Sequence, residues 1–155
     1  MEKVIKEKLS RIDSDSRFND HRLMLSRYSI KRKVFKRIQN WIISESHLAE
    51  DVKFVGIELG AGVIPISEIN SNFKSSDYCR DSKPSWIDLS VNACQMPFNN
   101  ESVDVFLCQN SFHHFPDHLQ FLAEAERCLS KNGKLIIFEP YHSILGKIFF
   151  KFLSA

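Results

Sequence analysis

Phe54-Val55-Gly56-Ile57-Glu58-Leu59-Gly60-Ala61-Gly62 is the stretch on which the fold turns. It starts as a short apolar run with β-branched Val55 and Ile57, the length and composition of a buried strand, and runs into two glycines one residue apart. A glycine is needed where the backbone turns tightly or where a ligand comes close, because a Cβ would block either. Glu58 places a carboxyl at the strand end just before that turn. Strand, glycine turn and following helix together make the nucleotide-binding corner of an open α/β sheet, in which ligands bind outside the carboxyl ends of the strands. An ordinary strand and tight turn would read the same way over nine residues, so the rest of the chain has to decide.

Downstream, the pattern alternates. Val63 to Ile69 makes only a short helix, with Pro65 in its first turn and Asn70-Ser71-Asn72 closing it. A second strand ends near Ser75-Ser76-Asp77. Asp77 lies 19 residues past Glu58, about the separation at which an acidic side chain meets the ribose of a nucleotide held by the first turn. Residues 86–91 read as a third strand, followed by Asn92-Ala93 and a polar turn. Residues 103–108 read as a fourth, delivering Gln109-Asn110-Ser111-Phe112-His113-His114 to the carboxyl edge. A helix follows, capped by Asp117 with Gln120 three residues on, striped by Leu119, Leu122, Ala125 and Leu129, and ended at Asn132-Gly133. Residues 134–138 are the fifth strand, broken at Glu139-Pro140. Strand and helix in alternation imply an α/β, Rossmann-like three-layer sandwich with a mainly parallel sheet, five strands in the order 3-2-1-4-5, preceded by N-terminal helices.

Upstream, residues 1–20 are charged, with helical spacing around Val4, Ile5 and Leu9. From His21 to His47, the residues Ile30, Val34, Phe35, Ile38, Trp41 and Ile42 fall on one helical face, and Lys31, Arg32, Lys33, Lys36 and Arg37 cover the rest. Residues 1–50 carry 12 Lys and Arg against 7 Asp and Glu, the remainder 9 against 12, so the net charge of +2 conceals a basic end. That cluster reads first as a solvated face, and second as a contact for a phosphorylated or membrane-bound partner. No nucleic-acid motif accompanies it, which argues against a DNA or RNA role. The division is residues 1–47 as a basic helical segment and 48–155 as the α/β core.

The 155 residues suit one domain, and 43% hydrophobic with 26% charged is globular composition. Cys79, Cys94, Cys108 and Cys128 form no Cys-x-x-Cys pair, so neither a zinc ribbon nor a redox dithiol is indicated. The first residues lack a signal-peptide core and no long apolar run follows, so a reducing cytoplasm is the expected location. Residues 144–153 are apolar apart from Gly146, Lys147 and Lys151, and read as a helix packed on the sheet or, second, as a membrane-surface helix.

Over about residues 50–142 the chain resembles the class I S-adenosylmethionine-dependent methyltransferases of the methyltransferase type 11 family. Glu58-Leu59-Gly60-Ala61-Gly62 resembles their first motif, Asp77 their acidic residue after the second strand, and Met96-Pro97-Phe98 with Ser102-Val103-Asp104 their Leu-Pro-Phe and Ser-Phe-Asp segment. Phe112-His113-His114, then residues 121–129 with Asn132-Gly133, then Phe138-Glu139-Pro140, continue the match in order. The resemblance implies S-adenosyl-L-methionine as cofactor. Gly60, Ala61 and Gly62 would let the backbone approach its methionine part, with Glu58 helping to hold the amino group. Asp77 would take the ribose hydroxyls, Asn92 and Ala93 stand where the family contacts adenine, and Gln109, Asn110 and Ser111 lie near the methyl group. Two departures stand out: Ile64 replaces a third glycine, and Asn92 replaces the usual Asp. The family sheet also continues through two further strands after Glu-Pro, so a partner chain or self-association completing the sheet is an expectation.

Methyl transfer is an in-line displacement for which the cofactor supplies the activated carbon and the protein supplies alignment and exclusion of water. His113 or His114 is the candidate base where the acceptor must lose a proton. Two histidines with no third ligand at suitable spacing do not indicate a metal. The Asn-Pro-Pro-Tyr signature resembling nucleic-acid amine methyltransferases is absent, which favours a small-molecule, lipid-linked or glycan acceptor. Two other classes stay open at this point: a non-catalytic methyltransferase-like fragment that binds a partner chain, and a nicotinamide-dependent oxidoreductase sharing the glycine turn and distal acid.

Overall fold

In the computed structural model, residues 18–20, 22–23, 29–48, 53–79 and 83–140 are described. The expected helix near Val4 and the apolar segment 144–153 lie outside them. A helix, α1 (Ser29–Glu45), precedes strand β1 (Gly56–Leu59), a 3-10 turn (Ile66–Glu68), β2 (Phe73–Asp77), β3 (Leu89–Ser90), β4 (Val103–Gln109), a second 3-10 turn (Phe112–His114), helix α2 (His118–Cys128) and β5 (Leu129–Phe138). The five strands form one sheet in the order β3-β2-β1-β4-β5, and every pairing is parallel.

A parallel sheet must be covered on both faces, and β4 shows how its sequence meets that demand. Phe106 and Cys108 pack with Ile57, Leu59, Phe121, Ala125 and Cys128 on the α2 side. Val105 and Leu107 pack with Ile42, Leu48, Ile66 and Phe73 on the α1 side. Side chains alternate across a strand, so a continuous apolar run feeds two cores at once. Gly56 is small for a packing reason: a Cβ there would lie 2.7 Å from the Phe73 ring.

Local chemistry moves three boundaries. β3 pairs only at Leu89 and Ser90, shorter than the expected 86–91, because the Asp88 carboxylate occupies the Ser75 N–H at 2.8 Å and the Ser75 hydroxyl at 2.9 Å. α2 starts as expected, with Asp117 accepting from the Gln120 N–H at 3.0 Å. It ends earlier than expected, at Cys128, since Leu129 is already extended. Asn132-Gly133 sits instead inside β5, where Val103 faces Leu129 but Val105, two residues on, faces Lys134. The surplus residues bulge, and Gly133 fits there because a Cβ would come within 2.9 Å of the Ser130 carbonyl.

The apolar stripe of α1 is also redistributed. Ile42 is buried and Phe35, Ile38 and Ile43 are half-buried, but Ile30, Val34 and Trp41 are exposed and Gln39 is fully buried. The Gln39 amide donates to the Ile64 carbonyl at 2.8 Å, so α1 is anchored through a polar side chain to the segment after the glycine turn. Arg32 and Lys36 of this helix both meet the Glu68 carboxylate, at 2.6 and 3.0 Å.

Candidate functional site

Parallel strands send all their following loops to one edge, and here that edge gathers Gly60 to Gly62, Asp77, Asn92, Gln109 to His114 and Glu139. The order 3-2-1-4-5 reverses direction at β1, and the crevice between β1 and β4 is where an open sheet of this kind takes a ligand.

The two glycines of the turn are needed for different reasons. Both have left-handed φ, +74° at Gly60 and +60° at Gly62. A Cβ on Gly60 would sit 2.5 Å from the Ser111 Cβ, so this glycine lets the β4 loop close against the β1 loop. Ser111 adds a hydrogen bond from its hydroxyl to the Leu59 carbonyl at 2.6 Å. Around a Cβ on Gly62 there is nothing within 4 Å, so this glycine borders open space. Ile64, at the place of the family's third glycine, is buried without a positive φ, so no glycine is required there.

Asp77 reaches the same turn. Its carboxylate accepts from the Gly62 N–H at 3.0 Å and from the Tyr78 N–H at 2.9 Å. The opposite side of Gly62 is held by Trp86, whose indole N–H donates to the Gly62 carbonyl at 3.0 Å, with the Arg22 guanidinium 4.1 Å from the ring centroid. Neither Trp86 nor Arg22 was legible as part of the site, since both act across long sequence separations with no motif to mark them.

Glu58 is buried, on the α1-facing side of β1, and its carboxyl accepts from the Ile66 N–H at 2.7 Å. Burial pushes its pKa up to about 8; the Ile66 bond works against that rise and the nearby Asp77 carboxylate adds to it. Near neutral pH this carboxyl therefore holds its proton, and a cation brought beside it would favour release.

Asn92 is exposed, and its side-chain oxygen accepts from the Cys94 N–H at 3.0 Å, closing the turn that buries Ala93. Gln109 is 8% exposed, and both its amide nitrogen and its amide oxygen are buried without a hydrogen-bond partner. An amide left so in a packed interior costs about 1–3 kcal/mol, so a donor and an acceptor stand ready at the end of β4. Asn110 holds a left-handed φ of 55°, and its N–H donates to the Phe138 carbonyl at 2.8 Å. Beyond it, His113 Nδ1 lies 2.6 Å from Glu139 Oε2, and the other Glu139 oxygen accepts from the Phe112 N–H at 2.7 Å. The His114 ring lies against that of His113, centroids 4.0 Å apart. Cys108, beneath, is an unreactive thiol whose pKa burial pushes up to about 12. Among the described residues no group of three or more His, Cys, Asp or Glu could hold a metal ion.

A depression of about 190 Å³ lies at the other edge of the sheet, lined by His47, Phe54, Asp104 and Lys134 among others. Its charged groups are engaged: Asp104 accepts from the Val55 N–H and the Ser130 hydroxyl, each at 2.9 Å, and Lys134 donates to the Ser46 carbonyl at 2.9 Å.

An all-parallel sheet with a switch point at β1, a glycine turn bordering open space and an acid at the end of β2 define a nucleotide-binding α/β domain. The chain belongs to the methyltransferase domain family, whose profile matches residues 46–137. The family's cofactor is S-adenosyl-L-methionine, and this membership displaces the oxidoreductase reading. A putative S-adenosylmethionine-dependent methyltransferase of Methanococcus maripaludis superposes with a TM-score of 0.61 at 12% identity, covering 92% of this chain and 71% of its own. A Thermotoga maritima protein described as a possible histamine N-methyltransferase gives 0.57 at 20%, covering 82% and 66%. A putative methyltransferase of Bacillus halodurans gives 0.54 at 19%, covering 75% and 57%. The present chain thus spans between about half and two thirds of the last two structures. No curated protein matches it. Among the described residues no helix is long and apolar enough to cross a membrane.

The residues present fit the cofactor. The orphaned Gln109 amide offers both hydrogen-bonding polarities to an amino acid moiety, and the open side of Gly62 admits a ligand against the main chain.

Proposed function

We propose that this chain is a cytoplasmic S-adenosylmethionine-dependent methyltransferase acting on a small-molecule, lipid-linked or glycan acceptor. The observation that supports it is the meeting of Asp77 with Gly62 at 3.0 Å, which brings the distal carboxylate and the glycine turn to one corner. In this reading Gly60, Ala61 and Gly62 present main chain to the methionine part, and Glu58 stands behind them as a proton-holding group. Asp77 exchanges its bond to Gly62 for the ribose hydroxyls, Asn92 and Ala93 flank the adenine, and Gln109 and Asn110 face the methionine end. The bound cofactor supplies an activated methyl group; the protein orients, excludes water and, through His113 or His114, takes up a proton. Residues 1–47 form a basic segment ahead of the core at 48–155, suited to an anionic acceptor or a membrane surface.

The test is calorimetric titration with S-adenosylhomocysteine. Asp77→Ala should weaken binding by about 1–3 kcal/mol, the worth of hydrogen bonds to a charged acceptor. Equal affinity in the variant refutes the assignment of Asp77, and no binding by the natural chain refutes the methyltransferase reading. A second reading, a non-catalytic fragment completed by a partner chain or a second copy, is favoured by β5 being an outer strand of the described sheet with Ile137 40% exposed. Light scattering on a sample that is turning over S-adenosylmethionine separates the two, since turnover by a monomer excludes the second.

A further inference from the structure

We propose that His113 and Glu139 form a proton-accepting pair that fits the site to acceptors bearing a hydroxyl, with Glu139 as positioning residue and His113 as the catalytic one. The inference rests on the methyltransferase reading and adds an acceptor class to it.

Three observations carry it. First, Glu139 is fixed by two bonds from one short segment: Oε2 lies 2.6 Å from His113 Nδ1, and Oε1 accepts from the Phe112 N–H at 2.7 Å. An ionised carboxylate only accepts hydrogen bonds, so in the neutral ring this contact puts the proton on Nδ1 and leaves Nε2 with its lone pair. Second, the pair belongs to the ligand edge. Phe138, beside Glu139, accepts from the Asn110 N–H at 2.8 Å, and Ser111 is packed on Gly60, so the histidine loop, the β5 end and the glycine turn form one connected rim. Third, the ring is accessible: the His113 side chain is 49% exposed, whereas the carboxylate behind it is 24% exposed.

A base is required where the nucleophilic atom still carries its proton. A phenol, with a pKa of about 10, is almost wholly protonated near neutral pH. In the proposed step the acceptor O–H bond breaks, its proton goes to His113 Nε2, and its electron pair stays on oxygen to bond the methyl carbon as the carbon–sulfur bond breaks towards sulfur. The imidazolium formed is stabilised by Glu139.

The first measurement needs no turnover. Histidine side-chain nitrogen NMR is recorded in mildly alkaline buffer with saturating S-adenosylhomocysteine, and His113→Gln assigns the ring. His113 is expected as the Nδ1–H tautomer, turning to Nε2–H in Glu139→Ala, with Glu139→Gln between them. An Nε2–H tautomer in the natural chain, or one indifferent to Glu139→Ala, overturns the pairing. The second measurement follows S-adenosylhomocysteine release with phenol and with a thiol already ionised at the assay pH as probes. His113→Gln, at a half-exposed ring, should keep the fold and slow phenol methylation by about 100-fold while sparing the thiol, a loss at the lower end for general-base catalysis. Equal loss on both probes, or turnover of the thiol alone by the natural chain, overturns it. Failure of S-adenosylhomocysteine to bind at all sinks the underlying methyltransferase reading; binding with the wrong tautomer sinks only the pair.

Discussion

The rim of the sheet has two ends that are built differently. At the glycine end, around β1 and β2, every contact ends on a main-chain group of the turn: the Asp77 carboxylate holds the Gly62 N–H, the Trp86 indole holds the Gly62 carbonyl, and the Ala61 N–H donates to the Ser76 carbonyl at 2.9 Å. At the histidine end, around β4 and β5, two side chains 26 residues apart meet directly, one of them half-exposed. A corner made of main chain tolerates little change in shape, while one made of side chains can change chemistry without moving the fold. The first therefore suits an invariant ligand and the second a variable one.

The sharpest way to break that contrast lies within the glycine turn. Gly60→Ala brings a Cβ to 2.5 Å from Ser111 on top of its left-handed φ, and should destabilise the chain by about 3 kcal/mol in urea unfolding, combining backbone strain with overpacking. Gly62→Ala meets no atom and should lose only about 1 kcal/mol from φ alone. Equal losses would mean that the two glycines are not distinct. The buried carboxyl gives an effect of another kind, read against pH. The folded pKa of Glu58, about 8, is raised above its ordinary 4.5, so the native state binds the proton more tightly. Its contribution to stability is full below about pH 4.5 and is lost as pH rises through about 8, at a slope of at most about 1.4 kcal/mol per pH unit. Glu58→Gln should flatten that part of the stability profile; an unchanged slope would place the titration elsewhere. Smallest is Gln109→Leu, which removes an orphaned amide and should stabilise the ligand-free chain by about 1 kcal/mol while weakening S-adenosylhomocysteine. Destabilisation instead would show that the amide has a partner in solution.

The contrast also explains what the sequence disclosed. The sheet order and the four loops were legible because backbone demands leave marks: glycines at Gly60 and Gly62, an apolar run feeding two cores at β4, a cap at Asp117. That Asp77 comes to the glycine turn was legible from spacing alone. Contacts between distant side chains leave no such mark. Glu139 read as a strand end beside Pro140 and as part of the family's Phe-Glu-Pro match, with nothing to tie it to His113, its partner. Gln39 was passed over because a polar residue interrupts an apolar stripe, yet it is more deeply buried than Ile30, Val34 or Trp41, which the stripe favoured. The helix end at Asn132-Gly133 was misplaced because the same pair of residues also suits a bulge, and only the partner strand decides between them.

Arg127 of α2 spans to the chain between β3 and β4, where its guanidinium donates to the carbonyls of Met96 and Phe98 at 3.1 and 2.8 Å, while Glu124 accepts from the Met96 N–H at 2.7 Å. Helix and turn are thereby coupled mechanically. A fluctuation that tilts α2 carries residues 96–98 with it, so amide exchange in the turn and in the last helical coil should rise and fall together.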